Sequence, residues 1–77
     1  MKKLNFGCGM RMFDGWDNVD IQKSKGIFKN FDFNCFPYPI YKNSYDYILV
    51  DNILEHLLFP KKVLLELHRI CKKNAII

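Results

Sequence analysis

The residues best suited to chemistry lie near the start of the chain. Gly7, Cys8 and Gly9 directly follow the short apolar run Leu4-Asn5-Phe6, and Asp20 lies within a second short apolar segment, Asn18-Val19-Asp20-Ile21. Glycine lets backbone approach a ligand where a Cβ would collide. A carboxylate accepts hydrogen bonds from ribose hydroxyls. A strand, a glycine loop and a second strand ending in an acid form the layout of a nucleotide-cofactor site at the carboxyl ends of parallel strands. Each part also has a plainer reading: the glycines as an ordinary turn, Asp20 as a turn or cap residue. A dinucleotide fingerprint wants a third glycine at position 12, which is Met here, and this argues against NAD or FAD. The stretch between Gly9 and Asp20 leaves room for a helix of a turn or two at most.

Two further groups follow the same logic. Asp32 and Phe33 end a third candidate segment. The carboxylate can accept from an adenine amino group while apolar neighbours flank the ring; the plainer reading is a surface acid beside a core Phe. Asp51, Asn52, Glu55 and His56 cluster after the strongest strand. A carboxylate or imidazole there can orient a nucleophile or take its proton, which makes Asp51 and His56 the catalytic candidates. Glu55 and His56 equally suit a solvated helix. Glu66 and Arg69 have the spacing of a helix ion pair worth a few tenths of a kcal/mol. Cys8, Cys35 and Cys71 are widely spaced, with no C-x-x-C and no His pair at zinc spacing, so no metal site is expected.

The elements that must position these groups are short. Lys3 to Phe6 reads as a buried strand ended by Gly7, and Asn18 to Ile21 as a second. Ile27 to Phe33 alternates enough for a third. Pro37 and Pro39 exclude a helix from Asn34 to Ser44. Tyr45 to Val50 is nearly continuous in apolar character, as suits a central parallel strand. Ile53 to Leu58 reads as a helical turn. Pro60 fits the first position of a helix running to Lys73, with Asn74 as its C-cap and Val63, Leu64, Leu67, Ile70 and Cys71 as its apolar face. Ala75 to Ile77 starts another strand. The order predicts an α/β, Rossmann-like, mainly parallel sheet, with the Tyr45 to Val50 strand beside the Lys3 to Phe6 strand.

Composition bounds the rest. Seventy-seven residues, 49% hydrophobic and 16% aromatic, make one small globular domain at most. The net charge of +4 comes from largely dispersed lysines without a long basic run, which reads as solvated surface and argues against a nucleic-acid partner. The apolar run after Met1-Lys2-Lys3 is broken at once by Asn5 and Gly7, so no signal segment is expected, and nothing is long enough to span a membrane. Widely spaced, unpaired cysteines suit reduced thiols and a cytoplasmic setting.

Several stretches together resemble class I S-adenosylmethionine-dependent methyltransferases. Leu4-Asn5-Phe6-Gly7-Cys8-Gly9 is similar to their first motif. Gly15-Trp16-Asp17-Asn18-Val19-Asp20 resembles a branch with a short loop there. Phe36-Pro37-Tyr38 and Ser44-Tyr45-Asp46-Tyr47-Ile48 look like the approach to the fourth strand. Leu54-Glu55-His56-Leu57 and Glu66-Leu67-His68-Arg69-Ile70 look like the segment after it. The resemblance implies that S-adenosyl-L-methionine is the cofactor. Gly7, Cys8 and Gly9 would lie near its methionine part. Asp20, with Ile21 beside it, would hold the ribose, and Asp32 and Phe33 the adenine. Asp51 and Asn52 would border the methionine end and the substrate.

The chain departs from the family after the helix, where Cys71-Lys72-Lys73-Asn74-Ala75 stands in place of the usual Pro and Gly. The family fold also has about three more strands, which carry acceptor-binding elements. Residues 1–77 therefore read as a partial methyltransferase domain, its cofactor half, truncated after the fourth strand and the following helix. The alternative is a non-catalytic remnant or subunit that binds cofactor weakly or pairs with a partner chain. Metabolite, lipid, sugar, protein and RNA acceptors all fit this half. The expectation for the isolated chain is marginal stability, self-association through an exposed sheet edge, and little or no methyl transfer alone.

Overall fold

A computed structural model describes residues 1–51 and 53–77. Five strands form one all-parallel sheet: β1 (Lys3–Phe6), β2 (Asp17–Asp20), β3 (Lys29–Asn30), β4 (Tyr45–Val50) and β5 (Cys71–Ile76). Their order is β3-β2-β1-β4-β5. This is the order of the first five strands of a doubly wound nucleotide-binding sheet, and β1 and β4 lie side by side at its centre as expected. Among the described residues one α-helix, α1 (Pro60–Ile70), crosses between β4 and β5, preceded by a 3-10 turn at Leu54–His56.

Side-chain alternation gives the sheet two unlike faces. Leu4 and Phe6 of β1, Val19 of β2 and Ile48 of β4 point into one core, which α1 closes with Val63, Leu67 and Ile70. Pro60 occupies the first turn of α1, where its missing N–H costs nothing. Leu64, expected on the apolar face, lies half exposed at its margin. The rest of that core is aromatic. Phe33 stacks on Phe6 at 4.1 Å, and Phe31 and Tyr38 pack around the pair at ring separations of 5.1 to 6.2 Å. Phe31 and Phe33 turn inward, so β3 is confined to Lys29 and Asn30 instead of running through to residue 33.

The aromatic loop is fastened to α1 by Glu66 and Arg69. The Arg69 guanidinium donates to both Glu66 oxygens (2.7 and 2.9 Å) and to the carbonyls of Ile40 (3.0 Å) and Tyr38 (3.2 Å). Glu66 in turn accepts the Tyr38 N–H at 2.7 Å. Hydrogen bonds from Arg69 hold the Glu66 carboxyl below the usual range. The pair thus does more than brace its own helix, because it satisfies the backbone of a loop that forms no ladder.

The carboxyl end of α1 departs from the expected boundary. The helix stops at Ile70, and Cys71 is already strand, its N–H donating to the carbonyls of Leu67 and His68. Cys71 is buried and pairs with Tyr45, whereas Ile76 pairs with Tyr47. Five steps along β5 thus match two along β4, and the excess bulges out around Asn74, whose φ of +67° places it in the left-handed region. Asn74 therefore turns a bulge and does not cap the helix. The fifth strand, read from Ala75, begins four residues earlier.

The opposite face of the sheet carries polar side chains and, among the described residues, no helix. Asn5 and Asn18 are register partners on β1 and β2, and both are buried. Asn5 Nδ2 donates to Asn18 Oδ1 (3.0 Å) and to the Arg11 carbonyl (2.7 Å). Asn18 accepts the Phe13 N–H (3.0 Å) and donates to the carbonyls of Phe13 (3.0 Å) and Trp16 (3.3 Å). The two amides hold the loop from Met10 to Trp16 over the sheet where a helix would otherwise sit. Replacing Asn18 with Ala strands the Phe13 N–H and the Asn5 amide, at about 1–3 kcal/mol for a buried unpaired group. We expect N18A to lower the unfolding free energy by that amount, read as a lower urea midpoint with an unchanged m-value by circular dichroism.

Candidate functional site

The carboxyl ends of β1, β2 and β4 converge where the sequence places its glycines and acids. Two consecutive N–H groups, those of Gly7 and Cys8, donate to the Val19 carbonyl, each at 3.0 Å. This closes the loop tightly against the end of β2. Gly7 takes φ +77° and Gly9 φ +54°. Their roles differ. A Cβ on Gly7 would lie 2.9 Å from Ile53 Cγ1, so Gly7 is needed for packing as well as for its backbone angle. A Cβ on Gly9 would meet nothing within 4 Å, so the space over Gly9 is open to a ligand.

Asp20 stands next to that space. One carboxylate oxygen accepts the Gly9 N–H at 3.1 Å and the other the Ile21 N–H at 2.8 Å. A carboxylate has about four acceptor positions, so Asp20 keeps capacity for hydroxyl donors. Ile21 follows it, half exposed. Cys8 offers backbone only: its thiol is buried and donates to the Gly9 carbonyl at 3.6 Å. Burial first, and the Asp20 charge second, push that thiol above its ordinary pKa.

Asp51 ends the approach from β4. Its carboxylate lies 3.6 Å from the Arg11 guanidinium, an exposed pair that bridges the glycine-loop side to the end of β4. The sequence reading did not single out Arg11. Its side chain acquires a role only because the Asn5 and Asn18 amides bend the loop back over the sheet, and no local motif marks that. Asn52 lies outside the described residues.

The other candidates sit elsewhere. Phe33 is a core residue, 2% exposed and stacked on Phe6, and so has no free ring face to offer an adenine. With one α-helix among the described residues, the aromatic loop supplies apolar volume to the core. Asp32 follows β3, and its carboxylate accepts the Asn34 N–H at 2.9 Å in a local turn. His56 is exposed on the 3-10 turn, and its nearest anion is the adjacent Glu55 at 3.7 Å. The structure therefore joins Gly7, Cys8, Gly9, Asp20, Ile21 and Asp51 at one sheet end and leaves His56 and Phe33 out of that group. Among the described residues no cluster of three or more His, Cys, Asp or Glu could hold a metal ion, and no helix is long and apolar enough to cross a membrane.

No protein-family model, curated protein or solved structure matches the chain.

Two outcomes test this geometry. Gly7→Ala combines a left-handed backbone with a collision against Ile53 and should cost about 1–3 kcal/mol in denaturant unfolding, whereas Gly9→Ala meets only the backbone penalty and should cost less. Thiol reactivity should divide by burial. Raised pKa values at Cys8 and Cys71 mean less thiolate at pH 8, so a disulfide reagent should modify exposed Cys35 first and the other two only on unfolding.

Proposed function

We propose that the chain is the cofactor-binding half of a class I methyltransferase and binds S-adenosyl-L-methionine at the carboxyl ends of β1 and β2. The observation that carries this reading is the Asp20 carboxylate beside the open space over Gly9, on a sheet of doubly wound order. Ligands of such sheets bind in the crevice outside the carboxyl ends of the strands. Asp20 would accept the ribose hydroxyls, and the backbone of Gly7 to Gly9 would border the methionine part, with Asp51 facing it from β4. Bound there, the cofactor supplies an electrophilic methyl group on a cationic sulfonium, and nearby carboxylates favour that charge. Ile21 is the exposed apolar side chain best placed to lie along the ligand. Asp32, at the end of the neighbouring β3, remains the candidate for the adenine amino group.

The unpaired thiols accord with a reducing, cytoplasmic setting. The acceptor would come from elements beyond this half or from a partner joined along an outer strand of the sheet. Under this reading the chain alone binds donor and transfers little.

The test is isothermal calorimetry with S-adenosylhomocysteine on the purified chain. One site is expected. Asp20→Ala should weaken it by about 10- to 100-fold, the scale of hydrogen bonds to a charged group, and Asp20→Asn, which keeps an acceptor for Gly9, by less. An absence of heat at millimolar ligand from a folded sample would refute the assignment.

A further inference from the structure

The amino ends of the strands, opposite the glycine loop, carry a second concave region that the donor-site reading does not use. Two clefts of about 420 and 260 Å³ adjoin there and share Lys29, Pro39, Ile40 and Tyr41. Lys2 and Phe28 complete the smaller one. Lysines far apart in sequence are thus brought to one hollow, a concentration of charge that the linear pattern hides.

Two of the aromatic rings here are exposed. Tyr41 is 89% exposed and Phe28 51%, whereas Phe6 and Phe33 are buried in the core. Cations accompany rings at the same place: Lys29 Nζ lies 6.0 Å from the Phe28 centroid, and Lys2 Nζ 5.3 Å from that of Tyr45. The nearby acids already have partners. Asp17 accepts the Tyr45 hydroxyl at 2.7 Å, and Asp46 accepts the Lys2 N–H at 2.8 Å and lies 3.6 Å from Lys72.

The wall that presents Tyr41 is held at several points. Arg69 binds the Tyr38 and Ile40 carbonyls, Glu66 binds the Tyr38 N–H, and Ser44 Oγ donates to the Tyr41 carbonyl at 2.6 Å. A fixed backbone under an exposed ring lowers the ordering cost of binding. Exposed rings beside lysines match the chemistry of an unpaired base and its phosphate: any base offers a π-face, and the cations neutralise the backbone. The chain's charge of +4 adds attraction for a polyanion.

We infer that this amino-end cleft binds single-stranded nucleic acid, with bases stacked on Tyr41 and Phe28 and phosphates against Lys2 and Lys29. The inference is independent of the donor site. Fluorescence anisotropy with a labelled oligouridylate tests it on the intact chain. Tyr41→Ala should weaken binding by about fivefold or more, the scale of one lost base stack, while Tyr41→Trp retains it. Tyr41 is nearly free of the fold, so neither change should alter the circular dichroism. Lys29→Ala should reduce the dependence of log K on log salt by about one phosphate contact. Three results would overturn the inference. Heparin competing as well as the oligonucleotide, with Tyr41→Ala without effect, would reduce the cleft to bulk charge. Uridine monophosphate binding as tightly as the oligomer would make it a mononucleotide pocket. Dimerisation in sedimentation that Tyr41→Ala abolishes would make it an interface between copies of this chain.

Discussion

The paired amides of Asn5 and Asn18 are the constraint on which the rest of the molecule depends. A parallel sheet buries both faces, and the usual cover is a helix on each. The described residues form one α-helix. The sheet's second face is covered instead by the loop from Met10 to Trp16, whose backbone polar groups have no ladder to join. A loop laid on an apolar face would strand those groups at a cost of 1–3 kcal/mol each, by the usual scale. Asn5 and Asn18 remove that cost by acting as a short polar ladder of side chains. Trp16 then lies edge-on to Tyr47 at 5.5 Å and beneath Lys3 Nζ at 5.4 Å, which shields the flank of β1 and β4. The same loop geometry sets the position of Gly9, and so of the space beside Asp20.

The helix face solves a similar problem with different materials. The connection from β3 to β4 contains prolines and forms no helix, yet it must close the core over β1 and β2. It does so with Phe31, Phe33, Phe36 and Tyr38, whose large rings fill volume with few residues. Ring packing alone leaves the loop backbone unpaired, and the Glu66–Arg69 pair meets that need. In isolation such a pair contributes little. Here each partner also bonds to loop backbone, so removing either one disturbs the junction of α1 with the loop as well as the helix itself.

Much of this was legible in the sequence, for identifiable reasons. The run Tyr45 to Val50 marks a central strand because it is apolar at nearly every position, and Pro60 marks a helix start by stereochemistry. Gly7 and Gly9 mark a turn that needs positive φ. The adjacency of Asp20 to the glycine loop was readable too, since neighbouring strand ends share one crevice. Three things were hidden. The early onset of β5 rests on Cys71 pairing with Tyr45, a contact that helical periodicity through Lys73 obscures. The burial of Phe33 depends on how much core α1 fails to provide. Arg11 depends on a loop path set by two distant amides. In each case a tertiary demand overrides a local pattern.

The two ends of the sheet present different side chains. Asp20 and Asp51 stand at or just beyond carboxyl ends, and Asp32 follows β3. Lys3 and Lys29 open their strands and Lys2 precedes β1, alongside Asp17, which opens β2 and accepts the Tyr45 hydroxyl, and Asp46, which lies beside Lys72. An acidic rim suits a ligand that carries positive charge at its reactive centre, and a basic one suits phosphate. The intervening sheet is buried, with Leu4, Val19 and Ile48 fully enclosed. In so small a domain one buried sheet both supplies the core and separates the glycine loop from the cleft that holds Lys2 and Lys29.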